Sequence, residues 1–252
     1  MRPTVFALAI LALQAQGAAL GQDTLTAQAQ TAVKAGETAA ADAAKKAAFA
    51  REWQAKAQTS AGRAREAAVK AESNAAGHGI LTGTGTSEAR PTWRYAGQVR
   101  AGKENGLGIE IWTSGERNEG EFRDDSEHGA VVSNYATGGR YEGEFRSARR
   151  SGSGVYTWSD GDHYEGEWQN AGRNGMGIYY GGETKNFASK SGQWINSRLT
   201  GDGVILFKDG SRFVGSFLDD VLDGYGVKYG PEGRVLEQGR YDRGELRAVA
   251  KP

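Results

Sequence analysis

From Tyr95 onward the chain repeats itself every 23 residues, and glycine marks the repeat. Blocks begin at Tyr95, Asn118, Tyr141 and Tyr164, then, after three extra residues, at Lys190 and Phe213, with a truncated copy around Glu237. Counting each start as offset 0, offset 2 is always glycine (Gly97, Gly120, Gly143, Gly166, Gly192, Gly215), as is offset 11 (Gly106, Gly129, Gly152, Gly175, Gly201, Gly224). Offset 13 is Gly108, Gly154, Gly177, Gly203 and Gly226, with Val131 the exception. Offset 4 is Val, Phe or Trp, and offset 14 is always Ile or Val. A fixed period of this length requires a repeat architecture rather than one conventional core.

Within a block the pattern predicts a β-hairpin. Offsets 0, 2 and 4 alternate and so share one face of a strand; after a polar turn, offsets 11 and 13 return on the facing strand. Glycine there leaves bare backbone over which rings such as Tyr141, Phe145, Tyr164 and Trp168 lie flat, with Gly143, Gly152, Gly154, Gly166, Gly175 and Gly177 as their receptors. A strand glycine costs roughly 1 kcal/mol, offset by aromatic burial at ~25 cal/mol per Å². Asp160-Gly161 and Asp209-Gly210 supply favoured hairpin turns between blocks. The expected sheet is an antiparallel meander of about thirteen strands.

These residues resemble the MORN repeat: Tyr-Glu-Gly-x-Trp, a short turn, Gly-x-Gly, and an aromatic before Asp-Gly, matched most closely over residues 141–168. The departures are Asn118 and Lys190 at the leading aromatic position, Val131 at the second glycine, and the insertion around 181–189, which suggests a break or bend. The resemblance implies a mainly β fold: an elongated single-layer meander of about six and a half hairpins that serves as a scaffold for protein partners, a dimerisation element, or a contact to phospholipid.

The remainder divides by composition into residues 1–21, 22–76, 77–94, the repeats at 95–247 and a tail at 248–252. Arg2, the apolar run Val5 to Leu13, and small residues through Gly21 have the layout of a secretory signal peptide, cleaved after Gly17 or Gly21. There is no cysteine, so disulfides and thiol chemistry are excluded. An exported protein of this kind resembles a soluble bacterial periplasmic or secreted one. Alanine fills 21 of the 55 positions from Gln22 to Ala76, and Asp42–Lys46, Glu52–Lys56 and Glu66–Lys70 have helical i,i+4 spacing. A helix is expected, with breaks near Gly36 or Gly62. Phe49 and Trp53 share a face while Val33 and Val69 lie opposite, so the helix is an alanine-lined strip against another surface, an oligomerisation segment or a solvated spacer. Residues 77–94 read as a linker.

Lys and Arg balance Asp and Glu at 31 each, which gives no field to draw nucleic acid. His78, His128 and His163 are scattered, the Gly-x-Gly pairs lack a strand-to-helix context, and Ser159 to His163 lacks the later ligands of a calcium loop. No catalytic residue, cofactor or metal site is expected, and the chain reads as non-enzymatic. Glutamates at offsets 1 and 3 form acidic rows opposite the leading aromatics, with Arg100, Arg123 and Arg146 as their expected partners. Trp112, Tyr135, Trp158 and Phe207 at offset 17, with Tyr180 and Tyr229 one place earlier, form a second aromatic row and the candidate partner-contact strip. The favoured reading is a scaffold that holds a helix or peptide, its own segment 22–76 included; the alternative is a phospholipid-associating envelope module, and homodimerisation stays open.

Because hairpin stacking depends on near neighbours, removing residues 22–76 is expected to leave the repeats folded. Circular dichroism of residues 90–252 checks this, and loss of the β signal refutes it.

Overall fold

The computed structural model describes residues 27–75, 80–83 and 93–249. The signal segment with Gly17 and Gly21, and His78, lie outside the described residues, as do the side chains of Val33, Phe49 and Trp53. Among the described residues one helix, α1 (Ala27–Ala75), precedes fifteen strands. These are β1 (Ile80–Gly83), β2 (Trp93–Arg100), β3 (Lys103–Trp112), β4 (Arg117–Phe122), β5 (Glu127–Asn134), β6 (Arg140–Arg146), β7 (Arg149–Thr157) and β8 (His163–Gln169). They continue as β9 (Gly172–Tyr180), β10 (Phe187–Ile195), β11 (Arg198–Phe207), β12 (Arg212–Leu218), β13 (Val221–Tyr229), β14 (Val235–Asp242) and β15 (Glu245–Val249). Every strand pairs with its sequence neighbours, so the sheet is an open antiparallel meander.

Fifteen strands replace the expected thirteen for two reasons. Part of the segment read as linker is β1, whose Ile80 to Gly83 pair with Ala96 to Trp93. The last copy closes a full hairpin, with Gly239 opposite Val249, so the sheet runs two residues past the expected end at 247. The insertion does not break the sheet either: Ser189 to Trp194 of β10 pair in register with Tyr180 to Gly175 of β9. The extra residues are held as a loop by buried Asp162, which accepts hydrogen bonds from Tyr179 Oη and from Gly182 N at 2.6 Å and pairs with Lys185 at 3.2 Å. Lys208 Nζ donates to the carbonyls of Gly182 and Glu183 from outside.

One side of the sheet is an aromatic ladder. Three offset-0 rings stand edge-on to their own offset-4 ring and to that of the next repeat: Tyr141 to Phe145 and Trp168 (5.2 and 5.3 Å), Tyr164 to Trp168 and Trp194 (5.3 and 5.4 Å), Phe213 to Phe217 and Tyr241 (5.7 and 5.1 Å); Tyr95, whose own offset 4 is Val99, meets Phe122 of the next (5.2 Å). Edge-to-face contact places the positive rim of one ring against the negative face of another. The polar tips are satisfied: Tyr141 Oη donates to Glu144 O and Trp168 Nε1 to Gly154 O, both at 3.1 Å.

The glycines divide into two classes. Where offset 0 is a ring, those at offsets 2 and 13 do lie under it: a Cβ on Gly154 would come within 2.3 Å of Tyr141 Oη, and one on Gly177 within 2.2 Å of Tyr164 Oη. Those at offset 11 do not. They adopt the left-handed backbone, as at Gly152 (φ +61°), and meet the offset-3 side chain, here Glu144, instead of a ring. The cause is a bulge near offset 11 in the second strand of each hairpin: between Gly166 and Trp168 the partner register moves from Gly177 to Arg173. The turns also differ from expectation. Asp160-Gly161 belongs to a three-residue loop in which Gly161 is left-handed (φ +87°) and Trp158 N bonds Asp162 O. The two-residue turns are at the other end, as at Ser147-Ala148 (φ +50° and +61°).

Gly154→Ala drives a methyl into Tyr141 and is expected to destabilise by about 1 to 3 kcal/mol. Gly62→Ala, in an unbroken stretch of α1 with open space around it, is expected to stabilise by up to about 1 kcal/mol. Urea unfolding midpoints check both.

Candidate functional site

The opposite side of the sheet carries α1. The helix runs uninterrupted through Gly36 and Gly62 and passes over every strand from β2 to β14. Of the three readings left open for this segment, the alanine-lined strip against a surface is the one observed. Ala50, Ala57, Ala64 and Ala71 are all fully buried, and they recur every seventh residue. Ala50 packs with Met176, Ile178 and Tyr180; Ala64 and Ala68 pack with Val132 and Ala130. Polar contacts flank this seam. Gln54 Nε2 donates to Tyr180 Oη (2.9 Å), Gln58 Nε2 to Glu165 Oε2 (3.2 Å), Ser60 Oγ to Glu144 Oε1 (2.9 Å) and Arg63 Nη2 to the same oxygen (3.0 Å). Arg65 grips Glu142 through both Nε, at 2.8 Å, and Nη2.

The contacts are commensurate. Moving from Glu165 to Glu142 is one repeat of 23 residues, and their partners Gln58 and Arg65 are seven apart. Moving from Met176 and Ile178 to Ala130 and Val132 is two repeats, and their partners Ala50 and Ala64 are fourteen apart. Seven helical residues rise about 10.5 Å, and two strands advance about 9.6 Å. One heptad therefore spans one repeat.

Glu142 experiences opposing effects: burial raises its pKa, but the hydrogen bonds from Arg65 and Arg140 prevail and hold it below the usual carboxylate value. The acidic rows are thus paired, but not with the expected arginines. Their partners stand at offset −1, as in Arg117–Glu119, Arg140–Glu142 (2.6 Å) and His163–Glu165 (3.8 Å), and on α1. Arg100, Arg123 and Arg146 at the strand ends are exposed. They lose the offset-3 carboxylates to other donors: Glu121 accepts from Ala130 N (2.8 Å), Glu167 from Met176 N (2.6 Å), and Glu144 faces α1. A cleft of about 520 Å³ opens beside the helix between Arg63, Lys70, Glu121, His128, Glu144 and Arg146. Burial, then Arg123 and Arg146, lower the pKa of His128 there.

The six aromatics expected to form one contact strip divide between the two faces. Tyr135, Trp158 and Phe207 pack against the aromatic core, and Trp112 sits 6.3 Å from Trp93. Tyr180 and Tyr229 point the other way, because a one-residue offset on a strand reverses the side. Tyr180 touches α1 and stacks on His163 at 4.4 Å, while Tyr229 is buried with Val214 and Val227 under Arg212. The sheet-facing donors Gln54, Gln58, Ser60, Arg63 and Arg65 of α1 were not singled out from sequence. Their signal was the seven-residue spacing of the alanines, visible once it is compared with the 23-residue period.

A family profile for the MORN repeat matches residues 95–117, 141–163, 164–182, 191–212 and 213–233. This is a MORN-repeat protein. The profile passes over 118–140, the copy with Asn118 and Val131, and most of the insertion. MORN repeats are a non-catalytic repeat module, consistent with a binding or scaffolding role. No curated protein matches the chain.

The unmatched copy is unusual inside as well. Asn118, where four of the six full repeats place a ring, donates to Glu110 Oε2 (3.2 Å) and Glu127 Oε1 (2.7 Å). Burial, with Glu110, Asp125 and Glu127 nearby, pushes Glu104 up to about 8. Burial, reinforced by Glu110 and Glu116 against a backbone hydrogen bond, pushes Glu127 up to about 7. Carboxyls raised in the folded state stabilise it fully below their unfolded pKa, and that contribution is lost as pH rises through 7 and 8. The urea midpoint is therefore expected to fall from about pH 5 to about pH 9, and Glu104→Gln to flatten the decline. An unchanged slope in that variant refutes the assignment.

Proposed function

We propose that this chain is a non-enzymatic, exported scaffold whose glutamate-bearing face holds a helix, with α1 as its resident occupant. The observation that carries the reading is the path of α1 over β2 to β14, anchored by donors on one face of the helix and carboxylates on the sheet. The aromatic side supports it by default: its rings bury one another, with Tyr141 and Tyr164 fully buried, so the ladder holds the sheet together and leaves recognition to the other face. Its carboxylates, Glu121 and Glu144 at the cleft included, are engaged by guanidinium, amide and hydroxyl donors or by backbone N–H groups. Export rests on the Arg2 and Val5 to Leu13 pattern at the N-terminus.

The phospholipid alternative needs exposed rings beside basic residues. The aromatic strip that would have supplied them is packed at Tyr135, Trp158 and Phe207. Among the described residues no helix is long and apolar enough to cross a membrane.

Hydrogen exchange tests the reading. Amides of α1 are expected to be protected in the full chain well beyond those of a peptide of residues 22–76, and equal exchange overturns the proposal. Arg65→Glu is expected to raise exchange along α1 and Arg65→Glu with Glu142→Arg to restore protection, a pair worth about 0 to 1 kcal/mol. Co-sedimentation with anionic vesicles at physiological salt decides the alternative: binding that survives salt favours the membrane.

A further inference from the structure

We propose that the glutamate-bearing face is a periodic track that measures helices in steps of one heptad per repeat, and that it takes a partner protein's helix of matching chemistry. That helix has a small residue at every seventh position, followed directly by arginine. The inference rests on the scaffold reading above and names the partner class for the same face.

Three observations carry it. First, the match is a rule rather than a single contact, because two independent sets of contacts, polar and apolar, both advance by seven helical residues per 23 sheet residues. A heptad seam winds by ~20° per heptad around a straight helix. The sheet beneath it twists strand by strand, which lets Ala50, Ala57, Ala64 and Ala71 all stay buried. Second, the seam needs small side chains. Every buried position described on α1 is alanine except Ser60, itself small, so the helix approaches closely enough for Ser60, Gln58 and Gln54 to reach the sheet.

Third, α1 fills the track incompletely. Arg65 meets Glu142 with two donors, whereas the equivalent place one heptad earlier is Gln58, a single neutral donor at 3.2 Å from Glu165. Charge-assisted, bidentate pairs are roughly twice as strong as neutral ones. Arg63 and Arg65 are themselves 60% exposed, which weakens their pairs through screening. A helix with arginine at both places, on the same alanine seam, satisfies the track better than the resident one.

The full chain, which has no native cysteine, tests the step directly. Ala50→Cys with Ile178→Cys is expected to cross-link in the uncut chain; failure there means α1 is not seated, and the scaffold reading falls with the track. Deletion of residues 51–57 removes one heptad, and because the C-terminal end of α1 is tied to β1, Ala50 advances one repeat. Ala50→Cys is then expected to cross-link to Val155→Cys and no longer to Ile178→Cys. Deletion of residues 51–55 turns Ala50 away from the sheet, and neither pair is expected to form. Equal cross-linking in the two deletions overturns the track.

The partner is tested with a labelled four-heptad peptide, alanine at every seventh position and arginine after each, added to the full chain. A saturable rise in anisotropy is expected, weakened by Glu142→Gln with Glu165→Gln and by Gln58→Arg in the host. A peptide of identical composition with alanines at every fifth position is expected not to bind. Binding of both peptides alike, or of neither, overturns the partner class while leaving α1 as the occupant.

Discussion

The contact on which everything else depends is the approach of a tyrosine ring to the backbone of two facing glycines. Tyr141 lies so near Gly143 and Gly154 that a Cβ on either would overlap it. Its hydroxyl returns to Glu144 O, and its edges meet Phe145 and Trp168. Each ring is shared between two repeats, which makes the hairpins one sheet rather than a row of separate ones. Where the ring is missing the ladder stops: Asn118 replaces it with hydrogen bonds to Glu110 and Glu127, and Lys190 replaces it with an ion pair to Asp220 at 3.3 Å. The same freedom appears at offset 9, which reads Glu104, Glu127, Arg150, Arg173, Leu199 and Leu222 along the sheet. Arg150 and Arg173 lie over Trp168 and Trp194 at 4.6 and 4.7 Å, while Leu199 is buried without a charge. The backbone geometry persists while the chemistry inside it changes from acidic to basic to apolar.

A single-layer sheet has two faces to bury, and here the two are solved differently. The aromatic face buries itself. The other face is left with Val132, Ile178, Val214 and Val227, all Val or Ile at offsets 1 or 14, between rows of carboxylates, and needs a cover that is apolar along its centre and cationic or amide-bearing at its margins. An alanine-rich helix with Arg63, Arg65, Gln54 and Gln58 beside its seam is such a cover. Its alanines contribute little area each; their value is that they let the helix lie close.

The sheet was legible because its signal is redundant. A glycine at the same offset six times, beside an aromatic at the same offset, has one structural solution, and Tyr141, Gly154 and Trp168 occupy the places their spacing predicts. What failed lay one residue or one face away. Gly152 and Gly154 are identical in sequence, but the bulge between them makes one a receptor for a ring and the other a left-handed hinge. Tyr180 looked like a neighbour of Trp158 in a row, but a single-residue offset carried it through the sheet to the helix. The docking of α1 was the least legible, because alanine has no distinctive side chain. Only the ratio of seven to 23, a relation between two distant parts of the chain, encodes it.

The offset-3 glutamate shows how a binding surface arises from a structural one. In Glu121 and Glu167 the carboxylate crosses the bulge and accepts the N–H of Ala130 or Met176, the residue that follows the left-handed glycine. Glu144 occupies the same place over Gly152, yet its oxygen accepts from Ser60 and Arg63 of the helix. A carboxylate has about four lone-pair sites, so the group that closes the bulge also has capacity to face outward. Every repeat that needs an acid to support its fold thereby presents an acid to whatever lies across it. Recognition by this face then requires no residue beyond those the hairpin already uses, only a helix whose donors arrive at the repeat's own interval.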